Sequence, residues 1–511
     1  MNRRRFLGYG AAGTAAVLLG TGLWDTQAYG EAASAGYPFT LGVASGDPAP
    51  DSVVLWTRLA VDPLAPDGLG GMPTRNPPVT YQVATDKQFH NVVKSGRVLA
   101  LPELGFSVHP EVYGLEPGRD YWYRFMFGDH VSPVGRTRTA PAPGTMPASL
   151  SVGVASCASY HGGHYTAYQH LAEENFDVVL FLGDYIYEET YGFTTDHWGT
   201  PLPSHMLHER VTLTDYRLQY ALYKLDPHLQ AAHASAPWIS IFDDHEVEDS
   251  WHMNVSPDTP DPTTFRRRKA AAFQAMYENL PLRHTQMPSG PSIRMHRKID
   301  YGALAEFTML DSRQYMSDRV NRLDPKATML GGEQADWLIN GFSTSQARWK
   351  IIGNQLPMAE VDKDPNPAVK TFFGAWDAYV VERERILTEA YNRDVDNLVV
   401  VTGDRHSNYM MDLKTDYDDP DSPVVGAEIV GTSISSGRDG AGMLPAGQNY
   451  LQANPHMKFC NFQRGYCRLT ITPETLTNDF RVVPYISQPD APISTRASFV
   501  VENGLPGSSP A

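Results

Sequence analysis

Two hydrophobic patterns divide the chain. Between about residues 39 and 139 the apolar positions come in short runs, at 39–45, 52–59, 79–84 and 120–127, separated by turn signals such as Gly46-Asp47-Pro48 and Pro117-Gly118. Runs of this length bounded by Gly and Pro predict β-strands, and no segment of helical period interrupts them. Beyond Met146 apolar runs alternate with helix-length segments, the signature of a layered α/β fold. The predicted strands there are 150–156, 178–182, 238–242, 307–310, 349–353 and 398–402, and later runs at 428–434, 466–471 and 477–483 predict a second sheet. A helix is predicted to start at Arg266-Arg267-Arg268-Lys269, with its cations on a solvated face. The organisation expected is a leader over 1–35, an all-β domain over 36–140, a Pro-rich linker over 141–147, an α/β domain over 148–503 and a mobile Pro/Gly/Ser tail over 504–511.

Polar groups follow nearly every predicted strand of the α/β region. They are Cys157; Gly183-Asp184 with Tyr187; Asp243-Asp244-His245-Glu246; Asp311-Ser312-Arg313; Asn354-Gln355; and Gly403-Asp404-Arg405-His406. In α/β sheets ligands bind at the carboxyl ends of strands, so this repetition predicts a polar rim along one edge of the sheet. Close-packed carboxylates repel one another and stay protonated unless a cation lies among them. Bound metal is the economical explanation. Asp184, Asp244 and Asp404 suit a hard divalent ion, whereas Cys157, Tyr187 and His406 suit a transition metal such as iron or zinc, and a phenolate favours iron(III). Asp184 is expected to sit between two ions.

Composition narrows the function classes. Hydrophobic residues at 42% and charged residues at 20% describe a folded globular protein, with 39 Pro and 42 Gly for long loops. A net charge of -16 argues against a nucleic-acid binder, which needs Lys and Arg to displace counterions. Three Cys without a C-x-x-C pair exclude a disulfide scaffold and a zinc finger, although Cys460 and Cys467 could bridge in an oxidising compartment. The amino end carries Arg3-Arg4-Arg5-Phe6-Leu7, then a modestly apolar Ala/Gly/Leu segment and small residues Ala32, Ala33 and Ala35. This order resembles a twin-arginine export signal, and the apolar stretch is too short and Gly-rich for a membrane anchor. The mature protein is therefore expected in the cell envelope or outside the cell, exported by the twin-arginine machinery.

Ser156-Cys157, Gly183-Asp184-Tyr185-Ile186-Tyr187, Asp243-Asp244-His245-Glu246-Val247-Glu248 and Gly403-Asp404-Arg405-His406-Ser407-Asn408 resemble, in order and spacing, the motifs of the alkaline phosphatase D (PhoD) family. These are variants of the calcineurin-like metallophosphatase signature. Relative to that signature, Cys157 stands for an Asp, Tyr187 for the second Asp, Asp244 for an Asn and Asp404 for a His. The resemblance implies a four-layer core of two stacked sheets flanked by helices. It also implies iron(III) held by Cys157, Asp184, Tyr187 and His406, with calcium sharing Asp184 and bound by Asp244 and Asp404. Leu115 to Arg124 looks like the turn and strand of a fibronectin III-like sandwich, in which a Tyr bonds back to the turn.

The expected activity is hydrolysis of phosphomonoesters or phosphodiesters by a metal-activated water. His245 would protonate the leaving alcohol or stabilise the transition state, Arg313 would either hold a phosphate oxygen or form a structural salt bridge, and Asn354 would touch metal or phosphate. A metal-free thiol enzyme built on Cys157 would leave the carboxylates without a role, and no G-x-S-x-G elbow supports a serine esterase. The alternative from another class is an extracellular binding protein with a vestigial metal rim.

Overall fold

The computed structural model describes residues 36–511 except Thr74, Arg319, Val320 and Pro367. The leader predicted over residues 1–35 lies outside the described residues. No described helix is long and apolar enough to cross a membrane.

The apolar runs of the α/β region form two sheets. Leu150–Ala155, Val178–Leu182 and Trp238–Ile241 lie side by side and parallel in the larger sheet, whereas Ala305–Met309, Trp349–Asn354 and Leu398–Thr402 form a second parallel triad in a seven-stranded sheet. The expectation of one edge of one sheet is thus corrected: the polar strand ends come from two sheets. Of the later runs, Val424–Val430 joins the smaller sheet, while Arg464–Ile471 and Thr475–Val483 extend the larger one. Period alone cannot assign a strand to a sheet, because strands of either sheet are buried on both faces and read alike.

Alternation along the strands explains how one run serves two cores. Side chains of successive strand residues point to opposite faces. Val178, Leu180 and Leu182 accordingly pack with Phe307, Met309, Ile351 and Val401 in the core between the sheets. Val179 and Phe181 belong to a second core with Tyr168, Tyr220 and Phe273, from the helices Thr166–Glu173, Leu213–Lys224 and Pro262–Asn279. On the far side, Ile352 and Val400 of the smaller sheet pack with Leu338 and Ile386 of the helices Gly331–Thr344 and Val380–Asn392.

The amino-terminal strands divide in the same manner. Val43–Ala49 runs parallel to Trp238–Ile241 and pairs with Ser52–Arg58, so both extend the larger sheet. Pro78–Ala84, Val92–Leu99, Asp120–Phe127, His130–Val131 and Gly135–Arg138 form a separate five-stranded sheet. Val79, Val83, Tyr123 and Phe125 pack with Val43, Val53 and Leu55, which joins this sheet to the larger one through a shared apolar core. The Tyr121 hydroxyl accepts the Glu116 N–H at 2.8 Å, the back-bond to the turn that the sequence predicts.

One open question is decided and two further expectations are corrected. Cys460 and Cys467 are buried and unbridged, because they belong to different sheets and different cores. The tail is not loose throughout: Ser509 and Pro510 pair with Val500 and Phe499. Arg268 and Lys269 turn inward from their helix; Arg268 reaches Glu248 at 2.7 Å, and Lys269 donates to the Met253 carbonyl at 2.5 Å.

Candidate metal centre

The carboxyl ends of the two parallel triads open into one cavity of about 210 Å3, lined by Asp184, Asp244, His245, Asp249, Ser250, Arg313, Leu356, Phe373, Ala375, Asp404, Arg405 and His406. The chain reaches it through left-handed backbone at four polar residues, Cys157 (φ 58°), Asp184 (φ 56°), Asp404 (φ 62°) and His406 (φ 50°). Such conformations are uncommon outside Gly and mark positions where surrounding structure overrides local preference. Gly183 precedes Asp184 with φ 106°, and a Cβ there would lie 2.5 Å from that of Asp243. Only glycine lets these adjacent strand ends approach so closely.

Asp184 is the hub. One donor atom each from Cys157, Asp184 and His406 falls within 4.8 Å of the others, and the same holds for Asp184, Asp244 and His245. Tyr187 joins the first group, its hydroxyl 3.2 Å from Asp184 Oδ2 and 3.1 Å from His406 Nε2, and it accepts from Ser436 at 2.6 Å. Asp404 lines the same cavity beside the second group. Six of the predicted ligands therefore converge.

The electrostatics follow from burial and crowded acids. Burial pushes the Asp184 carboxyl well above the usual range, with His245 opposing and Asp244 and Glu246 adding to it. Burial likewise raises Asp243 and Asp404. The Cys157 thiol and Tyr187 phenol are pushed well up by burial and by Asp184. His406 is pushed down to about 3 by burial and the cation of Arg464. Asp244 is the exception: burial raises it, but Arg313 and His245 prevail and hold it below the usual range. Carboxylates, a thiol, a phenol and a neutral imidazole pressed together are the donor set of a metal site, and cations would reverse the upward shifts.

The remaining predicted residues are placed differently. Arg313 lines the cavity, but its Nε donates to Asp243 Oδ1 at 2.5 Å and its Nη2 lies 3.2 Å from Asp244 Oδ2. Its Nε and Nη2 are engaged by these carboxylates, the salt-bridge arrangement of the two expected for it. Asn354 ends its strand with Nδ2 on the Leu356 carbonyl and Oδ1 buried without a partner, and it is not among the residues lining the cavity. His245 lines the cavity with Nδ1 2.8 Å from Glu188 Oε2.

Several residues escape sequence reasoning. Glu188 follows Tyr187 directly and reads as a loop carboxylate. Glu246 accepts the N–H groups of Asp184, Tyr185 and Asp243 at 3.0, 2.5 and 2.8 Å, binding two ligand loops together. Arg405 lies inside a motif where it looks like a spacer, and Phe373 sits on a loop with no signal at all.

A profile described as PhoD-like phosphatase matches residues 152–480, and one described as PhoD-like phosphatase, N-terminal domain, matches residues 25–141. The chain is 42% identical to alkaline phosphatase D of Bacillus subtilis (strain 168), over 99% of this chain and 88% of that protein. The solved structure titled "Structure of PhoD" superposes with a TM-score of 0.89 at 43% identity, covering 93% of this chain and 92% of that one. Family and fold agree over an amino-terminal β region and an α/β core that brings the motif residues together, which sets aside the binding-protein alternative. The chain belongs to the PhoD-like phosphatase family and is a phosphate-ester hydrolase of that type.

Proposed function

We propose that this chain is an exported phosphoesterase that holds iron(III) and calcium and hydrolyses phosphomonoesters, phosphodiesters or both. The observation that carries this reading is the sharing of Asp184 between two donor groups of different chemistry. Cys157, Tyr187, His406 and Asp184 would hold iron(III), since thiolate, phenolate and imidazole suit a transition ion. Asp184 with Asp244 and Asp404 would hold calcium, whose preferred ligands are oxygens. When bound, the two cations supply the positive charge that polarises a phosphate ester and acidifies a water.

The chain's own groups do the rest. His245, steadied through Nδ1 by Glu188, carries a proton for the leaving alcohol. Arg313 keeps Asp243 and Asp244 aligned. Asn354 stays a candidate contact for metal or phosphate through its orphaned Oδ1 alone, since it does not line the cavity. Export by the twin-arginine machinery rests on Arg3-Arg4-Arg5-Phe6-Leu7. We read the paired sheets and outer helices as a four-layer metallophosphatase core over 148–503, and the region 36–140 as a fibronectin III-like or Ig-like sandwich. The sandwich reading is supported by the Tyr121 bond and by the apolar core under the five-stranded sheet.

Metal analysis of the purified protein, with nitrophenyl phosphate and bis-nitrophenyl phosphate as substrates, tests the proposal. Iron, calcium and chelator-sensitive hydrolysis are expected. Protein that lacks both metals and cleaves neither ester would sink it.

A further inference from the structure

We propose that Arg405, pinned by Phe373, grips the non-bridging oxygens of the substrate phosphate; this rests on the phosphoesterase reading and names the phosphate-recognition element of that site. The side edge of a guanidinium, Nε with one Nη, carries two parallel N–H groups that match two oxygens of a phosphate or carboxylate. Two arginines line the cavity, and they differ in whether that edge is spent.

In Arg313 it is spent. Nε lies 2.5 Å from Asp243 Oδ1 and Nη2 lies 3.2 Å from Asp244 Oδ2, with the side chain only 2% exposed. Displacing it toward a substrate would strip two buried carboxylates of their counter-charge.

Arg405 is disposed in the opposite way. Its guanidinium lies over the Phe373 ring, 3.7 Å from the centroid, which fixes the plane of the head group. Its Nη1 makes a long ion pair of 3.5 Å with Asp404 Oδ2, and its buried Nε has no hydrogen-bond partner among the described residues. A buried N–H without an acceptor is costly, and an oxyanion entering the cavity would supply one here. The side chain is 23% exposed and lies between Asp404 and His406 in sequence, with all three residues lining the cavity. An oxyanion entering that cavity meets a planar fork whose orientation is already set, so little rotamer freedom remains to be lost on binding. Phe373 is thus a positioning residue and Arg405 the contact residue.

The test uses the metal-loaded full chain and its Arg405→Ala, Arg405→Lys and Phe373→Ala variants. Inorganic phosphate binding is measured by calorimetry, and KM and kcat are measured with nitrophenyl phosphate. Arg405→Ala is expected to weaken phosphate binding and raise KM by roughly 10- to 100-fold, with iron and calcium content unchanged. Arg405→Lys should recover only a small part, because a lysine has charge but no fork. Phe373→Ala should give an intermediate loss although it removes no charge. Parent-like phosphate affinity in Arg405→Ala, or full recovery in Arg405→Lys, would overturn the proposal. Should Arg405→Ala fail to fold, the Lys and Phe373 variants decide. A parent protein that cleaves no ester yet binds phosphate through Arg405 would separate the failure of the phosphoesterase reading from that of the grip.

Discussion

Glu188 Oε2 lies 2.8 Å from His245 Nδ1, and the other oxygen of the same carboxylate accepts the Asp249 N–H at 2.6 Å. One buried side chain therefore sets the orientation of the His245 ring and anchors the loop beyond it. The His245 imidazole, though opposed by burial, is raised well above its ordinary pKa by Asp184 and Glu188.

Replacing Glu188 should therefore act on the chemical step more than on binding. Glu188→Ala is expected to lower kcat roughly 10- to 100-fold, the usual cost of removing a residue that orients a site imidazole, with a much smaller change in KM. Glu188→Gln should retain more activity, since its carbonyl can still accept from Nδ1. Steady-state kinetics on both variants checks this; equal losses in the two would show that the charge matters and the orientation does not.

Arg313→Met removes the counter-charge of two buried carboxylates while keeping the bulk of the side chain. Leaving a buried charge uncompensated costs about 3–5 kcal/mol. A loss of that order in urea unfolding is expected, and its effect on phosphate affinity should be smaller than that of Arg405→Ala. The reverse ranking would return phosphate binding to Arg313.

His109 predicts a pH dependence of stability away from the metal centre. Its ring stacks on Tyr277 at 4.6 Å and 15°, and its pKa is pushed down to about 3 by burial and by His284. The unfolded chain protonates this imidazole near its ordinary 6.5 while the folded chain resists until about 3. Stability from this residue is complete above the unfolded value and is lost as pH falls through that window, by at most about 1.4 kcal/mol per pH unit. His109→Phe, which keeps the stacking, should flatten the acid limb of a melting-temperature profile between these values. An unchanged limb would show that other groups set it.

The site was legible because its chemistry sits at strand ends. Cys157, Asp184, Asp244, Asp404 and His406 each follow an apolar run, and their types alone distinguish them from core residues. Arg313 was legible as a site residue with a salt bridge or a phosphate as its partner, and only the fold shows that Asp243 and Asp244 take its Nε and Nη2. Arg405 stood inside a motif and Phe373 on an unmarked loop, and their contact spans a separation that no local pattern encodes. Val92–Leu99 was missed as a strand because it is half exposed and carries Lys94, Ser95, Gly96 and Arg97 in place of a clean alternation.

By itself the sequence determined the succession of apolar runs and turns, the polar residues that end them, and the donor types that call for metal. These are local properties, since a residue's period and chemistry are fixed by its neighbours in the chain. Only the tertiary structure decided that the strands part into two sheets whose ends meet over one cavity. It also decided that Asp184 serves two donor groups and that one of the two cavity arginines is already engaged. Those relationships join residues tens to hundreds of positions apart, where packing of the two sheets on a shared core, and not periodicity, sets which groups touch.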